Sequence, residues 1–202
     1  MQPCPELVDP DPDDQARAGV YSLLARLLLD ADERAADWLA AQAPLSGGSD
    51  SAVEAAWSRL VVAARSQRAG LARAHAAMFV ALGTPDINPY ASYYVDGSLM
   101  NVSLAQVRRD LVALGLHRAE RSRELEDHLG ALCDAMAQLI VGGAPPAAQA
   151  RFLERHIAGW SFRCLREIAA HPSAGLYGPL ADFAAAFLAS EQDAFVQEPV
   201  PE

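Results

Sequence analysis

Glu124 and His128 stand four residues apart, with Glu126 and Asp127 between them. If this segment is helical, that spacing puts Glu124 and His128 on one face. Carboxylates beside an imidazole are suited to holding a metal ion or moving a proton. The composition is also that of an acidic first helical turn with a histidine stabilised by it. Zinc-protease and di-iron sites need further spaced ligands, H-E-x-x-H or a repeated E-x-x-H, and neither occurs. Phosphate-cradling glycine loops and the G-x-S-x-G nucleophile turn are missing too. No catalytic set, metal site or cofactor is therefore expected.

The second chemical concentration is aromatic. Residues 83–101 read GTPDINPYASYYVDGSLMN and hold Tyr90, Tyr93 and Tyr94, three of the five tyrosines in the chain. Pro85 and Pro89 remove two backbone donors and favour extended neighbours. Asp96-Gly97-Ser98 is turn chemistry, with glycine able to take positive φ. A loop is expected here, with at most a strand fragment at 93–95. Long loops inside helical proteins are usually functional or disordered, and aromatic content argues against disorder. Tyrosine rings can plug a core or present a rigid apolar face with a polar tip to a peptide. Both roles fit this stretch taken alone.

These segments must be positioned by helices. Asp11, Pro12 and the acidic Asp13 and Asp14 open one, with Val20, Leu23, Leu24, Leu27 and Leu28 as its apolar stripe. A second is expected at 32–42 with Trp38 and Leu39 facing in. A third starts at Asp50 or Ser51 and bends near Gly70, and a fourth runs to Leu82 with Gly83 at its C′ position. Ser103 and Gln106 form a capping-box pattern for a helix over 104–114 that stops at Gly115. Ser122 opens the next, which ends before Gly142-Gly143. Pro145-Pro146 leads into a long helix closed by His171-Pro172. The last is expected over 176–189. His75, His156 and Trp160 read as core residues with satisfied ring nitrogens. The result is an all-α, single-domain helical bundle of about eight or nine helices, given single-sequence reading. Residues 1–10 read as a flexible N-terminus, 11–190 as the folded domain and 191–202 as a frayed tail.

The net charge is −10, and all 16 basic residues are arginine. That balance opposes nucleic-acid binding, which needs clustered cations, and suits a cationic partner. Cys4, Cys133 and Cys164 form no C-x-x-C pair, so they read as free thiols in a reducing compartment. No uncharged apolar run of about 18 residues occurs, so no membrane span is expected. The acidic, proline-rich start is the opposite of a secretory leader, and the expected location is cytoplasmic.

The pattern Tyr90-x-x-Tyr93-Tyr94-x-Asp96-Gly97-x-Leu99-Met100, followed by Glu124-x-x-Asp127-His128, resembles the TorD/DmsD family of chaperones. The similarity continues through Phe152-x-x-x-His156-Ile157-x-x-Trp160 and Leu176-Tyr177-x-x-Leu180-Ala181-x-Phe183. One departure is Leu125, where the family often has proline after the glutamate. The resemblance implies an all-α bundle that binds and does not catalyse. Its partners would be the twin-arginine signal peptide and the apo catalytic subunit of a molybdoenzyme, whose export waits for cofactor insertion. Carried over, Tyr90, Tyr93, Tyr94, Asp96, Gly97, Glu124, Glu126, Asp127 and His128 are the expected signal-peptide-binding residues. Tyr90, Tyr93, Tyr94 and Asp96 would form one wall of a groove and Asp127 with His128 the other. The family implies a monomer or a domain-swapped dimer. The other readings are a metal- or nucleotide-dependent enzyme using Glu124, Asp127 and His128, or an all-α interaction adaptor.

Overall fold

The computed structural model describes residues 11–45, 51–80, 84–117 and 124–197. Among them, helices α1 (Pro12–Leu29), α2 (Glu33–Ala41), α3 (Ala52–Gln67), α4 (Leu71–Phe79), α5 (Ala91–Asp96), α6 (Val102–Ala113), α7 (Leu129–Val141), α8 (Pro146–Phe152), α9 (Gly159–Ala170) and α10 (Tyr177–Gln197) make an all-α bundle. A π-helical turn over Leu153–Ala158 joins α8 to α9 without a break. With 146–170 counted as one helix, the total among the described residues is nine. No described helix is long and apolar enough to cross a membrane.

Most helix starts follow the local chemistry. The Asp11 side chain accepts from the Asp13 N–H at 3.1 Å, and Pro12 fills the first helical position. Asp32 caps α2 through the Ala35 N–H at 3.0 Å, and Ser51 caps α3. Around Gly70 a 3₁₀ turn, Arg68–Gly70, bends α3 into α4. Gly115 and Gly143 take positive φ where α6 and α7 end.

The core forms where α1 and α7 meet, with α10 packed on α9 and α3. The α1–α7 crossing is close because Gly130 has no side chain. A Cβ there would lie 2.8 Å from Leu29 Cγ and 3.2 Å from the Ala25 carbonyl oxygen. Tyr21 packs edge-on against Phe187 at 4.9 Å. The buried Tyr177 hydroxyl donates to the Leu27 carbonyl at 2.8 Å, tying the start of α10 to α1. Cys133 and Cys164 are buried free thiols, and burial pushes both up to about 12. Cys4 lies outside the described residues.

Several expected boundaries are corrected. α10 runs to Gln197 and not to 189. Glu191 is buried in it and takes a two-pronged contact from Arg17, with Nε and Nη2 each 2.8 Å from one carboxylate oxygen. α4 ends at Phe79, where Val80 turns extended; Gly83 lies outside the described residues. α6 begins at Val102, capped by Asn101 rather than Ser103. Trp38 does not face in: it is 52% exposed. α2 buries only Ala35, Ala36 and Leu39, which leaves Trp38 at the rim against Trp57.

Candidate functional site

The two segments expected to form the site are joined directly. Tyr90 and His128 form an isolated antiparallel bridge. The Leu129 N–H donates to the Pro89 carbonyl at 2.7 Å, and the Ala91 N–H donates to the Asp127 carbonyl at 2.9 Å. The side chain of Asp127 adds a third link, its Oδ2 accepting from the Ser92 N–H at 2.9 Å. Tyr90 occupies the N-cap position of α5 but has no side chain that can cap. Asp127 supplies the missing acceptor from the facing segment.

This pairing corrects two readings. Residues 91–96 are helix, not loop or strand fragment. The next helix starts at Leu129, not at Ser122, which lies outside the described residues. His128 is its N-cap, with Nδ1 accepting from the Gly130 N–H at 3.0 Å. Residues 124–127 are bends and turns, so Glu124 and His128 do not share a helix face. Asp127 and His128 are both buried and hold the platform together instead of forming an open wall. Because Nδ1 is an acceptor, the ring is neutral there. Burial, then the proximity of His75, lowers its pKa to about 3.

The remaining expected residues surround that joint. The Tyr90 hydroxyl donates to Glu124 Oε2, and its ring meets the His128 ring edge-on at 5.0 Å. Burial, reinforced by Glu124, raises the Tyr90 pKa. The Tyr94 hydroxyl donates to Glu167 Oε2 at 2.5 Å. Tyr93 is exposed beside Tyr94. Asp96 Oδ2 accepts from the Ser103 N–H at 2.8 Å and so anchors the start of α6. Gly97 closes α5 in the left-handed region at φ 77°. Glu126 accepts from Arg108 Nε at 3.0 Å.

Two cavities meet at Glu124. One, about 210 Å³, is lined by aromatic and aliphatic groups including Phe79, Ile87, Tyr90 and Leu99, with His75 and His128 at its wall. The other, about 230 Å³, brings together Glu124, Glu126 and Asp134 over Leu29, Leu111 and Leu116. Leu99, which lines the first cavity, is exposed, as are Tyr93, Val95, Met100 and Val102 of the same segment. Met100 holds φ at +58°, which is uncommon for a residue with a side chain. Among the described residues no three His, Cys, Asp or Glu side chains are grouped closely enough to hold a metal ion.

His156 meets expectation, with Nε2 2.8 Å from Asp110 Oδ2. His75 does not: its Nε2 is buried with no hydrogen-bond partner among the described residues. His75 lines the aromatic cavity, and its helical spacing alone does not distinguish it from a core residue. Arg163 and Glu167, which with Trp160 surround Tyr94, carry no signal in sequence, and Trp160 reads there as a core residue, because α5 and α9 are joined only in the fold.

Fold and site together define an all-α protein with an acid-lined cleft and an apolar cleft sharing one wall. Residues 47–166 match the model of the family described as nitrate reductase delta subunit. The chain is 30% identical over 124 residues to the chaperone protein TorD of Vibrio cholerae serotype O1, strain ATCC 39541, covering 54% of this chain and 56% of that protein. It is also 30% identical over 115 residues to the TorD chaperone of the El Tor strain N16961, covering 52% of each. The chain spans about half the length of these curated relatives. It belongs to the TorD family.

Proposed function

We propose that this protein is a redox-enzyme maturation chaperone. It binds the twin-arginine signal peptide and the apo form of a molybdopterin oxidoreductase in the cytoplasm, assists cofactor insertion and delays export until the client is mature. The observation that carries this reading is the pair of cavities flanking Glu124, one acidic and one aromatic and aliphatic. A twin-arginine signal offers guanidinium groups followed by an apolar stretch. Carboxylates of Glu124, Glu126 and Asp134 match the guanidinium groups in charge. The apolar stretch takes the aromatic cavity and the adjoining Leu99–Met100 surface, where methionine adapts to variable side chains. The net charge of −10 favours encounter with a cationic peptide.

In this account the expected binding residues divide by task. Tyr90, Tyr93, Glu124 and Glu126 face the peptide. Asp96, Gly97, Asp127 and His128 set the shape of α5 and its flanks. Titration of the purified protein with a twin-arginine peptide and with its Lys-Lys variant tests the reading. Saturable binding that weakens on Lys-Lys replacement is expected; no binding of either peptide contradicts it.

A further inference from the structure

Tyr94 packs against two groups of α9. Trp160 stacks on its ring, with centroids 5.4 Å apart and planes 22° apart. The indole is fixed by its own N–H, which donates to the His156 carbonyl at 2.7 Å. The Arg163 guanidinium lies over the tyrosine ring, 4.6 Å from the centroid. The indole and the guanidinium thus both lie against the Tyr94 ring. At the rim, Glu167 accepts from the Tyr94 hydroxyl through Oε2 and stands 3.6 Å from Arg163 Nε through Oε1. An aromatic face with a carboxylate at its edge is the chemistry that receives a guanidinium group.

The present occupant is loosely held. Arg163 and Glu167 are four apart on one helix, with side chains 59% and 44% exposed. Their 3.6 Å separation is longer than a good hydrogen bond, and exposed pairs of this kind contribute little. The Tyr94–Trp160 stack and the Tyr94–Glu167 hydrogen bond do not involve Arg163, so they persist if Arg163 swings into solvent.

We propose that this cage is a receiving site for an arginine side chain of a bound peptide, with Arg163 as a displaceable placeholder. The identity of that peptide rests on the signal-peptide reading above; the preference of the cage for guanidinium does not. Tyr90, the N-cap of α5, and Tyr94 within it are joined by the Tyr94 N–H, which donates to the Tyr90 carbonyl at 3.3 Å. The Tyr90 hydroxyl reaches Glu124 and the Tyr94 hydroxyl reaches Glu167. Two arginines of one peptide would thus each have a tyrosine-bound carboxylate to meet.

The test uses arginine amide and lysine amide as probes, with the Trp160 indole N–H resonance as readout, on wild type, Arg163→Ala and the Arg163→Ala/Glu167→Gln double variant. Arg163→Ala opens the cage, so arginine amide shifts the resonance saturably and at lower concentration than in wild type. Lysine amide acts more weakly, and the double variant loses the response. A resonance in Arg163→Ala that arginine amide leaves unmoved, or moves no more than lysine amide does, overturns the proposal. In a parallel titration, a twin-arginine peptide binds Arg163→Ala roughly two- to fivefold more tightly than wild type. If wild type binds that peptide but neither Arg163→Ala nor Glu167→Gln changes its affinity, the cage is overturned and the signal-peptide reading stands. If wild type binds no such peptide, that reading fails, and the amide titration decides the cage by itself.

Discussion

Asp127 Oδ2 accepts the Ser92 N–H at 2.9 Å across a sequence separation of 35 residues. The carboxylate is buried, so it acts by fixing the start of α5, and through it the direction of Tyr90, Tyr93 and Tyr94. Asp127→Ala leaves a buried N–H without its acceptor, a loss of about 1–3 kcal/mol. The expected result is a lower urea midpoint and weaker peptide binding together. Asp127→Asn keeps an acceptor and loses less of both. An Ala variant of unchanged stability means that the capping role is wrong.

Acid sensitivity follows from His128. Its folded-state pKa is lowered from 6.5 to about 3 by burial, so the unfolded chain takes up its proton first as pH falls. Stability from this group is present above about pH 6.5 and is lost as the pH drops toward 3. The slope for one fully linked proton is about 1.4 kcal/mol per pH unit. Burial lowers His75 and His156 as well, which adds in the same direction. Urea midpoints from pH 7.5 to 5 should fall in wild type. His128→Asn retains a capping acceptor and should show a shallower dependence.

Gly130 sets the spacing of α1 and α7. In Gly130→Ala the new Cβ meets Leu29 Cγ at 2.8 Å and Leu28 Cβ at 3.2 Å. The Leu29 side chain can move, but the Ala25 carbonyl at 3.2 Å is backbone. Overpacking of this kind costs about 1–3 kcal/mol. A thermal midpoint several degrees lower is expected, with helix content preserved by circular dichroism.

Helix content and most caps were legible because their causes are local. Asp11-Pro12, Asp32, Gly115 and Gly143 act within a turn of their own positions. The apolar spacing of α1 likewise points to the core directly. What could not be read depends on distant partners. α5 has no cap in its own sequence; the acceptor comes from Asp127. The start of α7 was misplaced because an acid-rich run looks like a first turn, whereas Tyr90, Arg108 and Ser92 engage Glu124, Glu126 and Asp127 outside any helix. Glu191 extends α10 by meeting Arg17, 174 residues away. At the site, the nearness of the tyrosines to Glu124–His128 was anticipated from the family pattern. The burial of Asp127 and His128, and the roles of Trp160, Arg163 and Glu167 around Tyr94, were not.

The shared acidic wall is the centre of the account, and calorimetric titration of a twin-arginine signal peptide into wild type and Glu124→Gln/Glu126→Gln tests it most directly. Gln preserves side-chain shape and removes the charge that a guanidinium group would meet. The account predicts affinity lower by on the order of tenfold or more, with the wild-type advantage shrinking as salt is raised. Equal affinity in the two proteins at low salt would contradict it.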